Sequence, residues 1–409
     1  MKNQKKIELM APAGDKAMLS AVIRAGADAV YFGSSVFNMR TKAKNFDISE
    51  LEDVSKICRQ FKVKTYLTIN TIIYENELSE LEKYIRRAKE ANIDAIICWD
   101  FAVIELCKKY DIPFVISTQA SVSNSKSAEF YKNLGAKRIV LARECSFMHL
   151  LEIKKNVDIE IEVFAHGAMC VAISGRCFLS HHIYQKSGNR GECLQPCRRK
   201  YKIIDSQNGN ELFLGEDYIL SPKDLTVLSF VDKLIEAKVD ALKIEGRKRS
   251  VEYAAKITEI FRKAIDLYYE GKLTEDIKEQ LYRESQLVYN RGLSDGFYFA
   301  EPDENYWAGI SGNKSSVRKE YVGYVENYFA KSKIVHLVIQ NSSISKGDKL
   351  LAIGETTGAV ELLLDEFFVN DMPSINFAQK GDFITLKSSI KLRRNDKVYK
   401  VIEFDRAFS

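Results

Sequence analysis

No stretch of this chain approaches the roughly 18 consecutive apolar residues of a membrane-spanning helix. The opening segment, MKNQKKIELM, is basic but enters only a short apolar run, without the h-region of a signal peptide. Together these absences predict a cytoplasmic protein with no membrane partner. Neither H-E-x-x-H nor G-x-S-x-G occurs, so no zinc-protease helix and no nucleophile elbow is written in the sequence. No G-x-G-x-x-G follows the first β-rich run, which counts against a dinucleotide fold. C-x-x-C is missing too, and with it the paired knuckles of most structural zinc sites. A net charge of +5, from 61 basic and 56 acidic residues, does not by itself demand a nucleic-acid partner. With 46% hydrophobic and 29% charged residues, the 409-residue chain can build a real core and has no composition for extensive disorder.

What is present is a rhythm. From residue 7, short β-rich runs alternate with amphipathic helical stretches, beginning with IELMAP and DKAMLSAVIRAG and reaching a seventh run at IEIEVFAHG. An eighth candidate strand lies in VDALKIEGR, residues 239–247, and the helix after it places Tyr253, Ile257, Ile260, Phe261, Ala264 and Tyr268 on one face. Eight such units predict an α/β fold, a (β/α)8 TIM-like barrel, with a doubly wound open sheet as the alternative. Beyond about residue 300 the helical period disappears and turn signals recur every 8 to 12 residues or so, the pattern of a small all-β barrel. The division expected is a catalytic domain over 1–300 with a Cys-rich insertion at 168–217 after strand 7, a linker over 301–319 and a C-terminal β-barrel domain over 320–409. Inside the insertion, KYKIIDSQNGNELFLG reads as a hairpin, and SPKDL reads as the opening of the next helix.

Eight cysteines in a reducing compartment are poor candidates for disulfides. Cys58, Cys98, Cys107 and Cys145 sit in apolar contexts and read as core residues. Cys170, Cys177, Cys193 and Cys197 instead fall in one loop, separated by six, fifteen and three residues. Four thiolates at this spacing can saturate a soft metal centre, either an iron–sulfur cluster or a tetrahedral zinc. In a barrel, loops after strands form the catalytic face. Barrel logic therefore selects the strand-end polar residues Asn70, Asp100, Gln119, Arg143, Glu144, His166, Glu245 and Arg247, with His166 as ligand or proton carrier. Arg143, Arg176 and Arg247 are the cations available to clamp a dicarboxylate. The basic knots CRRKYK, EGRKRS and KLRRNDK offer Arg198, Arg199, Lys200, Arg393 and Arg394 to RNA phosphates.

The cysteine segment resembles the signature of the collagenase-like peptidase family U32. The residues that carry the likeness are Glu162, Phe164, His166, Gly167, Cys170, SGRC ending at Cys177, NRGEC ending at Cys193 and QPCR around Cys197. LMAPAGD, LSPKDL, KIEGR and YNRGLSDGF extend it over most of residues 7–300. The resemblance implies oxygen-independent hydroxylation: of the tRNA wobble uridine to 5-hydroxyuridine with prephenate as donor, of an rRNA cytidine, or of a quinone precursor. It further implies a [4Fe-4S] cluster on the four cysteines, with zinc the alternative from spacing, and a paralogous subunit or a second copy as a protein partner. The small β-domain points to the tRNA branch. Proteolysis is the alternative activity. His166, Glu245, Arg143 and Asn70 are the expected catalytic residues; Arg176, Arg247, Gln119, Arg198, Arg199 and Lys200 are the expected substrate contacts.

Overall fold

The computed structural model describes residues 6–199, 201–214, 220–301, 306–308, 312–370, 372 and 377–404. Lys200 lies outside the described residues, so its expected phosphate contact has no structural account.

Seven parallel strands follow one another around a ring: β1 (Glu8–Pro12), β2 (Ala29–Gly33), β3 (Lys64–Thr68), β4 (Ala95–Cys98), β5 (Phe114–Ile116), β6 (Arg138–Val140) and β7 (Glu160–Gly167). A closing strand, Ala241–Ile244, pairs in parallel with both β7 and β1. The ring is therefore shut: the fold is the eight-stranded barrel, and the open-sheet alternative is overturned by the β1 pairing. Helices between strands form where amphipathic period and caps coincide. Asp15 accepts from Met18 N at 2.8 Å and starts α1 (Lys16–Arg24). The helix Leu51–Gln60 buries Leu51, Val54, Ser55 and Cys58, the i, i+3, i+4, i+7 stripe that packs it on the sheet. Each such aliphatic side chain stabilises the wall by about 1.5–3 kcal/mol. The helix Val251–Tyr269 buries Tyr253, Ile257, Ile260, Phe261 and Ala264 on its predicted face. Cys58, Cys98, Cys107 and Cys145 are all buried, as expected of core thiols.

SPKDL does not open a helix. Asp224–Thr226 is a strand running antiparallel to the end of β7, and helix resumes only at Val231–Glu236. Ion pairs hold it there: the buried Asp224 carboxylate meets Arg249 at 2.9 Å and Arg291 at 3.3 Å, and these tertiary contacts outweigh local helix signals. The hairpin is as expected, Tyr201–Ile204 against Glu211–Leu214.

The described part of the 301–319 stretch is not a free tether. Trp307 bridges to Pro222, and Ala308 N donates to Ser221 O at 2.7 Å, while the first C-terminal strand, Val317–Phe329, already begins inside it. That strand anchors a seven-stranded antiparallel sheet, all-β as read from the sequence. Among the described residues its end strands, Gly358–Leu363 and Phe367–Val369, do not pair with each other, so hydrogen bonding does not close a barrel; one face gathers Val322, Val335, Leu337, Leu350, Ile384 and Val398 into a separate core. The sheet docks on α1: Ser20 Oγ donates to Glu355 O at 2.6 Å and Arg24 to Thr356 O at 3.2 Å. Gly358, at φ +72°, makes the closest approach, since a Cβ there would lie 2.7 Å from the Ala21 Cα.

Candidate active site

The barrel interior is polar where aliphatic layers are usual. At its floor Arg138, fully buried, meets Glu8 at 2.7 Å, Glu160 at 2.9 Å and Glu162 at 3.1 Å. Glu162 also accepts from Lys243 at 2.8 Å, and the Lys243 ammonium sits 4.3 Å from the Tyr31 ring centroid. Burial lowers the Lys243 pKa against the pull of Glu162.

Strand alternation carries the same face upward from Lys243 to Glu245 and Arg247. All three line a small cavity at the barrel mouth, with Asn70, Gln119 and Arg143. Glu245 is held by Arg40, whose Nη2 lies 3.1 Å and Nε 3.3 Å from Oε1, and it accepts from the Tyr31 hydroxyl at 3.2 Å. Burial opposes its ionisation, but Arg40, Arg143 and Arg247 prevail and bring its pKa down to about 2. Arg247 donates from Nη1 to Asn38 at 3.0 Å and Thr68 at 2.9 Å; burial pulls its pKa down to about 10. Arg143 donates to Ala168 O at 2.7 Å and lies 3.8 Å over the Phe164 ring. The Nε of each of these last two arginines is buried without a partner. Asn70 donates to Ser117 Oγ at 3.1 Å and Gln119 Oε1 at 3.2 Å, while Ser117 also donates to Gln119. Gly167, at φ +117°, lets β7 end against the closing strand: a Cβ there would stand 2.4 Å from the Glu245 carbonyl oxygen.

The insertion folds back over this mouth. Cys170, Cys177, Cys193 and Cys197 all line one cavity of about 180 Å³, whose lining shares Met39, Arg40, Thr118, Gln119 and Arg143 with the mouth below. Three sulfurs accept from the backbone N–H two residues on: Cys170 from Ala172 at 3.5 Å, Cys177 from Leu179 at 3.4 Å and Cys193 from Gln195 at 3.4 Å. Burial pushes the Cys197 thiol up to about 11, and the charges of the other three cysteines act in the same direction. Four thiols within each other's field are unfavourable as free thiolates, and a bound cationic centre reverses that balance. Among the described residues no three Cys, His, Asp or Glu side chains converge to hold a single ion; the thiols surround a cavity instead. Four cysteine sulfurs are a donor set that either an iron–sulfur cluster or a single zinc ion takes.

The family model described as peptidase family U32 matches residues 14–308. The chain belongs to peptidase family U32. It is 38% identical to an uncharacterized protease of Methanocaldococcus jannaschii, over 96% of this chain and 98% of that protein. It is 35% identical to a collagenase of Porphyromonas gingivalis (97% and 98%) and 36% identical to tRNA hydroxylation protein P1 of Bacillus subtilis (88% and 88%). This U32 chain is an enzyme, and RNA hydroxylation is among the activities for which its relatives are named.

Several residues singled out from the U32 sequence lie elsewhere. His166 does not face the mouth. Glu162 and Phe164 point inward, but the register with the closing strand slips so that Lys243 opposes Phe164 and Ile244 opposes His166, and this bulge turns His166 outward. Its ring packs against Tyr253 and Phe261, each 6.0 Å away, with both nitrogens unpartnered and the pKa driven down to about 3 by burial. Arg198 is a buried brace donating to Met169 O, Ser221 Oγ and Pro222 O at 2.6–2.8 Å, so it is not free to meet a phosphate. Asp100 caps a helix through Ala102 N, and Glu144 accepts from Ser174 N. Arg176 is exposed and donates to Ser121; Arg199 is exposed over Tyr184. Arg393 and Arg394 are exposed on the C-terminal domain. Conversely, the sequence pattern does not single out Tyr31, Arg40, Lys243 or Lys248. Lys243 was within reach of it, being two residues before Glu245 on one strand; Arg40 lies seven residues past β2, where only the folded loop brings it back.

Proposed function

We propose that this U32 enzyme hydroxylates tRNA, converting the wobble uridine to 5-hydroxyuridine with prephenate as hydroxyl donor and a [4Fe-4S] cluster on Cys170, Cys177, Cys193 and Cys197. The observation that carries this reading is the stacking of two cavities: a four-thiol chamber opening directly onto a cationic barrel mouth. A cluster bound by those thiols would supply electron transfer, or an iron with an open position if only three bind. The protein's own groups supply the rest. Arg143 and Arg247 line the mouth with guanidinium groups, the charge suited to the carboxylates of prephenate. Glu245, kept ionised by Arg40, is a counter-ion that fixes Arg40 and is too weak a base to remove a proton near neutral pH. The Asn70–Ser117–Gln119 array offers amide donors and acceptors to the edge of a uracil ring. Phe164, Val140 and Ile97 close the mouth on its apolar side.

Proteolysis is the second reading, favoured by the names of the M. jannaschii and P. gingivalis relatives. His166, read from the sequence as a ligand or proton carrier, is sealed away from the mouth and does not serve that reading. Mass spectrometry of tRNA nucleosides from a strain lacking the gene separates the two. Loss of 5-hydroxyuridine and its derivatives supports hydroxylation; an unchanged profile rejects it.

A further inference from the structure

A cleft of about 1400 Å³ runs between the barrel and the C-terminal sheet. Lys42, Lys44 and Lys248 stand on its barrel wall, and Arg393, Arg394 and Lys397 on the opposite wall; over the whole lining Lys and Arg outnumber Asp and Glu by ten to five. The carboxylates present do not neutralise it. Lys42–Glu192, Lys44–Asp15 and Arg394–Glu326 are ion pairs at 3.3, 2.6 and 2.9 Å, but their cations are 53%, 80% and 72% exposed, and such pairs exchange readily for another anion. Lys248, Arg393 and Lys397 have no carboxylate within ion-pair distance among the described residues.

The cleft also leads somewhere. Cys193, Gln195 and Lys248 belong to the lining of both the cleft and the four-thiol cavity, and Lys248 Nζ donates to Cys193 O at 3.2 Å on that shared rim. Arg247 likewise lines both the cleft and the barrel mouth. The contacts of α1 with the Glu355–Gly358 turn and the Lys319–Glu252 pair, 2.7 Å, join the two walls.

We propose that this cleft holds a single-stranded RNA segment by its phosphates, so that one nucleotide reaches past Lys248 into the cysteine cavity. The inference rests on the RNA reading above and assigns the C-terminal sheet half of the substrate site. A strand with one charge per nucleotide matches cations on both walls, which a near-neutral peptide would leave unpaired. Binding of a fluorescent RNA hairpin with a uridine-containing loop is the test, using the full-length protein across a salt series. The variants are Lys42→Glu and the double change Arg393→Glu/Lys397→Glu, with Arg393→Gln/Lys397→Gln as the milder pair and Lys349→Glu, outside the cleft, as control. Affinity should fall on the order of 10-fold in the charge-reversed proteins, and the slope of log K against log salt should flatten by about 0.7 for each phosphate no longer neutralised; Lys349→Glu should match wild type. Tight RNA binding that is indifferent to every cleft variant would overturn the inference while leaving the RNA reading intact. Displacement of RNA by polyglutamate at equal charge would overturn it in favour of an acidic peptide. Absence of RNA binding by the wild type would remove the RNA reading itself.

Discussion

Arg40 and Glu245 are joined by two hydrogen bonds to one carboxylate oxygen, 3.1 Å from Nη2 and 3.3 Å from Nε, across 205 residues of chain. The pair ties the loop after β2 to the end of the closing strand, and it lies where the cysteine insertion meets the barrel. Because the folded Glu245 pKa is about 2 against an ordinary 4.5, its contribution is fully present above about pH 5 and drains away as pH falls toward 2. Glu245→Gln should cost about 3 kcal/mol near neutrality, since it strands buried guanidinium charge. Urea unfolding across pH measures this: the gap between wild type and variant should narrow in acid, and a gap independent of pH would refute the ion-pair account.

His166 gives a second test, of the same sign in pH. Its folded pKa of about 3 lies below the ordinary 6.5, so the unfolded chain takes up a proton that the fold refuses, and stability declines as pH falls from about 6.5 to 3. Replacing it with phenylalanine keeps an aromatic ring against Tyr253 and Phe261 and deletes two unsatisfied nitrogens. His166→Phe should lie within about 1.5 kcal/mol of wild type at neutral pH, unfold less readily in acid, and retain turnover. A folded variant without turnover would return His166 to the chemistry.

At the mouth, Arg143 is separable from the scaffold because, among the described residues, its guanidinium makes one hydrogen bond, to the Ala168 carbonyl. Arg143→Leu preserves a contact with Phe164 but removes a charge-assisted donor. On the proposed hydroxylation, steady-state kinetics should show KM for prephenate raised on the order of 10-fold or more, about 1.4 kcal/mol upward, with a smaller change in kcat. An unchanged KM would place the co-substrate elsewhere.

The cysteines divide into two classes that metal analysis distinguishes. Cys145 is buried with its thiol pushed up to about 12, while Cys177 lines the open cavity and accepts an N–H bond. After anaerobic reconstitution, Cys145→Ala should keep iron and sulfide at the wild-type level and Cys177→Ala should lose them. A protein that takes up zinc alone, with no iron, would reject the cluster.

The barrel was legible because each of its units is local: a capped, striped helix turning into a buried strand, repeated until the eighth. That the four cysteines gather around one cavity was legible because they share one loop. His166 was misplaced by a single slip of register between β7 and the closing strand, which no one-strand pattern encodes. Arg198 and SPKDL failed for a related reason, since Ser221, Arg249 and Arg291 decide their state and lie far along the chain or across the fold. Arg40 and Lys248 gain their meaning only from the cavities they border. What folded geometry adds is which charges are already spent as braces, as in Arg198, and which line the mouth, as in Arg143 and Arg247.

The most direct test combines purified, anaerobically reconstituted enzyme with prephenate and tRNA from a strain lacking the gene, followed by nucleoside mass spectrometry. The account expects 5-hydroxyuridine at the wobble position, dependent on prephenate and lost with Cys177→Ala. Iron-loaded enzyme that binds tRNA yet forms no 5-hydroxyuridine with prephenate would contradict it.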